Sequence, residues 1–258
     1  MVIKKNACQR ALLGATLCAL MLSSTQAYAA PEEIQVYMDE FADGGKFGLD
    51  LHTIYVASTR SRPGALPEHQ LRLTPELSYG VNDHVEAAAY FLTNKAPGQG
   101  VQSDGLKVRV RWRPFIPTEH TIWYGAINIE LGKLAQRFNT ATSNGEIKAI
   151  LTARSGPWVA GINLNIDRPL RQSAAAPTTK EIDTKLAYAF DKELSIGVEH
   201  YAFLGPLNGE VIGFAPNRTT FVAADFAVAK WDINVGIGRA RGDIPDKIIV
   251  KAIVGVPF

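Results

Sequence analysis

The chain has 258 residues, with 27 Lys or Arg against 25 Asp or Glu, and 47% of its residues are hydrophobic. This near balance of charge argues against a nucleic-acid partner. Beyond residue 29 the sequence has no apolar run of about 18 residues, so we expect no transmembrane helix there.

Residues 1–29 have the pattern of a secretory signal peptide. A short basic region precedes the apolar stretch 11–22, and Ala27 and Ala29 form a small-x-small cleavage site. Both cysteines lie in this segment, so we expect a mature protein without disulfides. Removal of its three basic residues leaves 24 basic against 25 acidic residues, a net charge of −1.

Residues 30–45 form a segment that does not fit the pattern of the rest of the chain. Residues 34–37 are a short β-like piece, and Asp39, Glu40 and Asp43 follow it. We interpret 30–45 as a periplasmic leader or as a possible plug inside a barrel. A flexible leader is the simpler alternative.

Residues 46–258 are a series of segments of about ten residues in which polar and apolar side chains alternate. Successive side chains of a strand point to opposite faces, so the series predicts strands with one apolar face. The predicted fold is all-β, a single antiparallel transmembrane β-barrel of about twelve strands, with ten or fourteen possible if a boundary is misread. The strands are predicted at 46–59, 69–80, 84–94, 103–113, 120–131, 146–154, 157–167, 180–190, 194–204, 218–228, 231–240 and 247–258.

The connections alternate in length. Those after even-numbered strands are short, whereas those after odd-numbered strands are mostly longer and rich in Gly, Pro, Ser and Asn, as at 60–68, 132–145 and 168–179. Outer-membrane barrels have short periplasmic turns and long outer loops. The pattern therefore predicts the bacterial outer membrane as the location, with both termini in the periplasm.

The four tryptophans, Trp112, Trp123, Trp158 and Trp231, share the apolar strand faces and lie beside short connections. Aromatic residues at one level predict a girdle at the membrane interface. The alternative is a set of core tryptophans in a soluble β-sandwich, which does not explain their placement at one end. Further aromatic residues are predicted at the same level, namely Tyr79, Tyr188, Phe190 and Phe258.

The last strand, at 247–258, has one unbroken apolar face and ends on Phe258. This ending resembles the insertion signal of outer-membrane barrels. It implies barrel-assembly machinery and periplasmic chaperones as partners during biogenesis, and outer-membrane lipid as the partner of the apolar face.

The face opposite the apolar one is expected to line the lumen. The fourth strand carries cations at alternate positions, and a symmetric hairpin with the third strand puts Glu86 opposite Arg111. The predicted lumen-lining residues are Lys107, Arg109, Arg111, Arg113, Glu76, Glu86, Glu130, Asp183, Lys185, Glu199 and Asp225. Further inward residues are Asp50, Asp232, Arg72, Lys148, Arg154, Arg239 and Lys251.

These charges allow two interpretations. One is a charged constriction that selects anionic solutes. The other is an ion-pair network that fills a narrow barrel, and the near balance of inward charges slightly favours it.

No catalytic, cofactor-binding or metal residue is predicted, and we expect no cofactor and no enzyme. The histidines have no zinc-binding spacing. Residues 143–145 faintly resemble the Ser-Asn-Gly of outer-membrane phospholipase A, but Ala141 stands where that motif has histidine, so we predict a turn at 143–145.

Two alternatives to a pore stay open. One is a lipid-modifying enzyme with a histidine near the outer rim, and the other is a structural or adhesion barrel that acts through its outer loops. The histidines are His52, His69, His84, His120 and His200.

Several stretches resemble a group of uncharacterised proteobacterial outer-membrane β-barrel proteins. They are EIQVYMDEFADGGKFGLDLHTIYV, LRLTPELSYGVNDHVEAAAYF, VEHYAFLGPL, and NVGIGRARGD followed by VKAIVGVPF. The chain is also broadly similar to the outer-membrane family named after the MetA pathway of phenol degradation. The resemblance spans nearly the whole mature chain, implies an outer-membrane barrel that passes small organic molecules, and transfers no catalytic residue. The leading hypothesis is thus a narrow pore or transporter for small solutes.

Overall fold

The computed structural model describes residues 33–60, 68–118, 120–135, 142–171, 177–209 and 217–257. The predicted cleavage site at Ala27 and Ala29 and the terminal Phe258 lie outside these residues. No helix in the described part of the chain is long and apolar enough to cross a membrane. The strands are β1 (Phe47–Thr59), β2 (Gln70–Asn82), β3 (Val85–Lys95), β4 (Gln102–Trp112), β5 (Trp123–Leu134), β6 (Ser143–Ser155), β7 (Trp158–Arg171), β8 (Thr179–Ala189), β9 (Leu194–Pro206), β10 (Asn217–Val228), β11 (Trp231–Arg241) and β12 (Asp246–Pro257).

The strands form one closed antiparallel barrel, which confirms the predicted fold and the count of twelve. Each strand pairs with the next along the chain, and β12 pairs with β1, where Leu49 lies opposite Val256. Closure leaves no strand edge unpaired, as a wall inside a bilayer requires.

Alternation along each strand puts apolar side chains outside and polar ones inside. In β5 the outward Trp123, Ile127 and Ile129 are exposed, whereas the inward Tyr124 and Asn128 are buried. A soluble protein has the opposite distribution of polarity, so the outer surface is suited to lipid.

The aromatic residues predicted to form a girdle, apart from Phe258, which lies outside the described residues, are on the outer surface at the end of the barrel that carries the short connections. Each of the four tryptophans is the first or last residue of its strand and is about half exposed. The Trp158 ring lies 5.2 Å from that of Tyr188, which lies 5.2 Å from that of Phe190. Their contact with lipid headgroups stays a prediction.

The connection between β5 and β6 is shorter than the predicted loop 132–145. β5 continues to Leu134, and β6 already begins at Ser143, which is therefore a strand residue and not part of a turn. The glycine that suggested a loop instead makes room for a side chain, because a Cβ at Gly132 would lie 2.4 Å from Oδ1 of Asn144. β5 also begins three residues later than predicted, at Trp123.

Arg239 of β11 faces outward and is exposed, so its predicted inward position is wrong. The buried, inward positions on either side of it are held by Gly238 and Ala240. A Cβ at Gly238 would lie 2.5 Å from Cε1 of Phe221, so the Phe221 ring fills the space that a larger inward side chain would need.

Candidate functional site

Residues 33–45, here called the luminal segment, run from inside the barrel to its short-turn end, where residues 43–45 are exposed. Ile34, Val36 and Met38 are buried, and they join an apolar cluster with inward residues of β1 and β9–β12. The wall contributes Ile54, Tyr201, Phe221, Ala240 and Ile249 to this cluster. The alternating segment therefore turns one apolar face toward the β9–β12 side of the wall.

Side chains of the wall bind the backbone of the luminal segment. The amide of Asn163 accepts a hydrogen bond from Tyr37 N (2.7 Å) and donates one to Tyr37 O (2.9 Å). Lys251 donates to the carbonyl of Ile34 (3.0 Å), and Glu86 accepts from the amide of Ala42 (2.6 Å). The polar groups of the extended backbone are thus satisfied by wall side chains, as buried backbone groups require.

The other face of the luminal segment carries aromatic rings that meet wall cations. The Tyr37 ring lies 4.3 Å from Nζ of Lys148 and 5.2 Å from the guanidinium carbon of Arg109. The Phe41 ring lies 4.1 Å from the guanidinium carbon of Arg113. These are cation–π distances, so cations of β4, of β6 and of the residue after β4 help to hold the segment.

The arginines of β4 also pair with buried carboxylates. Arg109 contacts Glu76 (2.5 Å) and Glu86 (2.6 Å), and Arg111 contacts Glu86 (2.8 Å). The predicted pairing of Glu86 with Arg111 across the hairpin is confirmed by the strand register. Arg113 donates to the carbonyl of Asp83 (2.7 Å).

A second charged network lies on the inner face of β8–β12. Lys185 contacts Asp225 (2.7 Å) and Glu199 (3.5 Å), and Glu199 also pairs with Lys251. Asn234 donates to Asp225 (2.7 Å) and connects the two parts of the network.

The remaining predicted lining residues are also enclosed. Lys107 lies 3.8 Å from Glu130, and Asp183 accepts a hydrogen bond from Asn165 (2.6 Å). Of the eleven, Asp225 is the most exposed, with about a third of its side chain accessible (34%). The contacts are those of an ion-pair network, and a role of these residues along a solute path stays a prediction.

Sequence reasoning missed the residues that anchor the luminal segment, chiefly Tyr37, Tyr90 and Asn163. Tyr37 and Tyr90 share a hydrogen bond between their hydroxyls (2.9 Å), and both side chains are buried. The alternation of apolar and polar residues at 34–37 could have indicated this role, since it predicts an extended segment with one apolar and one polar face.

Glu33, His52 and Glu76 form a group of potential metal ligands in the lumen, with their ligand atoms all within 4.8 Å of one another. Glu33 lies in the luminal segment and also accepts a hydrogen bond from the Tyr37 hydroxyl. Desolvation inside the barrel, together with the nearby Glu130 carboxylate, raises the pKa of the Glu33 carboxyl.

Three other histidines lie away from this group. His200 faces outward, where its ring contacts the Thr220 hydroxyl (2.8 Å), and the ring of His69 contacts the Tyr55 hydroxyl (2.6 Å). His84 contacts the carbonyl of Arg113 (3.0 Å) beside a short turn.

Two cavities open beside the luminal segment at the short-turn end. One of about 590 Å³ is lined by Asp50, Lys185, Asp232 and the β8–β9 turn, among others. The second, of about 560 Å³, lies between Asp39, Tyr124 and the β4–β5 and β6–β7 connections. Both are large enough for a small organic solute.

Comparison with known proteins supports the fold. No family model matches the chain, and no curated protein matches it. An outer-membrane channel from Pseudomonas putida F1 is similar in structure, with a TM-score of 0.57 and 12% identity over 88% of this chain and 100% of that chain. The NanC porin has a TM-score of 0.55 and 11% identity, covering 81% of this chain and 98% of its own.

The KdgM porin, solved in complex with disordered oligogalacturonate, has a TM-score of 0.53 and 12% identity, covering 82% of this chain and 99% of its own. At such identities the likeness concerns the fold. The sequence resemblance to outer-membrane β-barrels is therefore confirmed at the level of architecture.

Proposed function

We propose that this protein is an outer-membrane barrel that forms a narrow pore or transporter for small polar solutes. The observation that carries the proposal is a closed wall with an apolar outer face and charged, hydrogen-bonded side chains on its inner face. A wall of this kind satisfies its backbone within lipid and offers polar contacts to what lies inside. Its similarity to channel and porin folds supports the same conclusion.

The orientation is part of the proposal. The short turns and both termini lie in the periplasm, and the longer loops face outward. Outer-membrane lipid contacts the apolar face, and the barrel-assembly machinery and periplasmic chaperones receive the chain during biogenesis.

The luminal segment narrows this pore. It brings apolar and aromatic side chains into the lumen, where they contact both the apolar cluster and the β4 cations. Because the β4 arginines already pair with carboxylates, the lumen has no large excess of positive charge there, and selection by size is favoured over strong anion selection. Passage of small organic molecules, as the MetA-named family implies, is compatible with cavities of about 590 and 560 Å³.

Planar-bilayer recording tests the proposal. The mature chain should give small, reproducible conductance steps, and a variant without residues 30–45 should give larger ones, because the lumen widens. Folding of both proteins is checked by heat-dependent mobility in unheated and heated gels. Folded barrels that show neither conductance nor solute flux in liposomes, with or without the segment, would contradict the pore.

A further inference from the structure

Three side chains that can bind metal converge in the lumen from three elements. Glu33 comes from the luminal segment, His52 from β1 and Glu76 from β2, and one ligand atom of each lies within 4.8 Å of the others. Nε2 of His52 and Oε2 of Glu76 are 3.0 Å apart, and both side chains are buried. Two carboxylates and one imidazole therefore direct electron pairs to one small volume.

Nε2 of His52 and Oε2 of Glu76 share a hydrogen bond, which a bound ion would replace, and the other neighbouring contacts of Glu76 fall on a different oxygen. Arg109 binds Glu76 through Oε1, the oxygen that His52 does not contact, and the Tyr37 hydroxyl binds one oxygen of Glu33. Hydrogen bonds of this kind orient ligating carboxylates in metal sites. The charge of Arg109 is shared with Glu86, which reduces its repulsion of a nearby cation.

A second observation comes from the two residues that lack a full set of partners. His52 contacts Glu76 through Nε2, and its Nδ1 has no hydrogen-bond partner among the described residues, so no contact at Nδ1 holds the ring against the small movement that metal binding requires. Glu33 has no ion pair in the described part of the chain, where the Tyr37 hydroxyl is its hydrogen-bond donor. Lys148 and His52 of the wall lie near enough to interact electrostatically with Glu33 but form no ion pair with it in the described residues, so a cation between Glu33 and His52 would give this carboxylate a direct counter-charge.

We propose that Glu33, His52 and Glu76 bind a divalent transition-metal ion, with Zn²⁺ as the best match. Zn²⁺ takes imidazole nitrogen and carboxylate oxygen at about 2.0–2.2 Å, which separates ligands of a tetrahedral site by about 3.4 Å. The present separations reach this geometry after movements of about 1 Å or less. Ca²⁺ fits poorly, because it requires about six to eight oxygen ligands.

The ion also ties the luminal segment to the wall. Two of the three ligands belong to strands and the third, Glu33, belongs to the segment, so a bound ion holds that segment in the lumen. The proposed metal site does not depend on the protein being a pore. An effect of the ion on conductance, in contrast, rests on the proposed function.

The test is a titration of the full mature chain, folded in detergent and without a histidine tag, with Zn²⁺ by calorimetry. Glu33→Gln and His52→Asn remove ligands. Glu40→Gln, in the same segment, and His200→Asn, on the outer surface, are the matched controls. We expect one Zn²⁺ per chain, an affinity at least about tenfold lower in the two ligand variants, and no change in the controls.

A second readout locates the ion. Zn²⁺ should slow hydrogen exchange in residues 33–45 of the unmodified protein and of the controls, but not of Glu33→Gln. Because Glu33 lies outside the barrel wall, we expect the Glu33→Gln variant to fold, so it tests the metal site even if His52→Asn fails to fold.

Absence of saturable binding, or equal affinity in all four variants, overturns the metal site. A barrel that conducts but binds no Zn²⁺ refutes the site alone. A barrel that binds Zn²⁺ through these residues but never conducts refutes the pore alone.

Discussion

Asn163 holds the luminal segment by acting as a peptide group. Its side-chain amide donates to and accepts from the backbone of Tyr37, as a neighbouring strand would. Each such bond contributes about 1 kcal/mol, so Asn163→Ala should weaken docking of the segment by about 2 kcal/mol.

This loss corresponds to roughly 30-fold faster exchange of the Tyr37 amide hydrogen, measured by mass spectrometry or NMR. Asn165→Ala is the matched control, because Asn165 lies two positions along β7 and binds Asp183. Equal exchange in both variants would contradict the assigned role of Asn163.

Glu86 is the carboxylate on which Arg109 and Arg111 both depend. It is almost fully buried and also accepts the amide hydrogen of Ala42. Glu86→Gln should destabilise the barrel by about 3–5 kcal/mol, because removing one partner leaves buried charge uncompensated. Urea unfolding in lipid vesicles measures this, with the exposed Glu193→Gln expected to behave like the unmodified protein.

At this scale the sequence predicted one contact and missed another. Glu86 opposite Arg111 followed from the two-residue period and a hairpin that is symmetric about the loop between β3 and β4, since neighbouring strands of a hairpin have few possible registers. The bond between Tyr37 and Asn163 joins residues 126 positions apart. It depends on how the luminal segment lies within the closed wall, which no local pattern specifies.

Among the elements, β10 and β11 pack closely because an aromatic ring of β10 lies against a glycine of β11. Phe221 packs where Gly238 has no Cβ. Gly238→Val should destabilise the barrel by about 1–3 kcal/mol, because the added methyl groups overlap the ring. Adding Phe221→Ala should recover part of this loss, as measured by a double-mutant cycle of urea unfolding.

The outward Ile237→Val, on the neighbouring position of β11, should change stability much less. If Phe221→Ala and Gly238→Val instead have additive effects, the ring does not limit the size of residue 238.

The luminal segment has two faces, and substitutions should separate them. Val36 lies in the buried apolar cluster, whereas Gln35 is partly accessible and lines the larger cavity. Val36→Asp should release the segment, because an unpaired carboxylate is costly to bury there. Gln35→Asp should leave it docked, and protease sensitivity of residues 33–45 distinguishes the two outcomes.

The strand positions were largely predictable, but several boundaries were not. Alternation predicts all twelve strands, but the sequence also predicts a loop that includes Gly132 and Gly145, whereas β5 and β6 contain them. In the sequence, a glycine that allows a turn looks the same as a glycine that makes room for a neighbouring side chain such as that of Asn144. The side chain of that neighbour belongs to another strand, so the difference appears only in the assembled wall.

For the molecule as a whole, the charge at the short-turn end should bias which ions enter. Asp50 and Asp232 line the larger cavity, and neither carboxylate makes a hydrogen bond or ion pair within the described residues. We expect weak cation selectivity, and the double variant Asp50→Asn, Asp232→Asn should reduce it.

The reversal potential in a KCl gradient measures this selectivity. Asp243→Asn, in the β11–β12 connection at the opposite end, is the control and should have a smaller effect. An unchanged reversal potential in the double variant would mean that these carboxylates do not face the conducting path.

The whole fold was the most predictable level, because a membrane constrains it strongly. Strands that expose apolar side chains at every second position can cross a bilayer only when all their backbone groups are paired, and a closed barrel achieves this. The contents of the lumen were less predictable, since the same inward charges can line a path or pair with each other.

The luminal segment joins the strand ladder at a single isolated bridge, between Gly44 and Gly80. The ring of hydrogen bonds from β1 to β12 is complete without it. Because side-chain contacts, and not the strand ladder, join most of the segment to the wall, we expect the segment to undock at a lower temperature than the wall unfolds. Calorimetry of the folded protein should resolve two heat-absorption events, of which the earlier and smaller disappears when residues 30–45 are deleted.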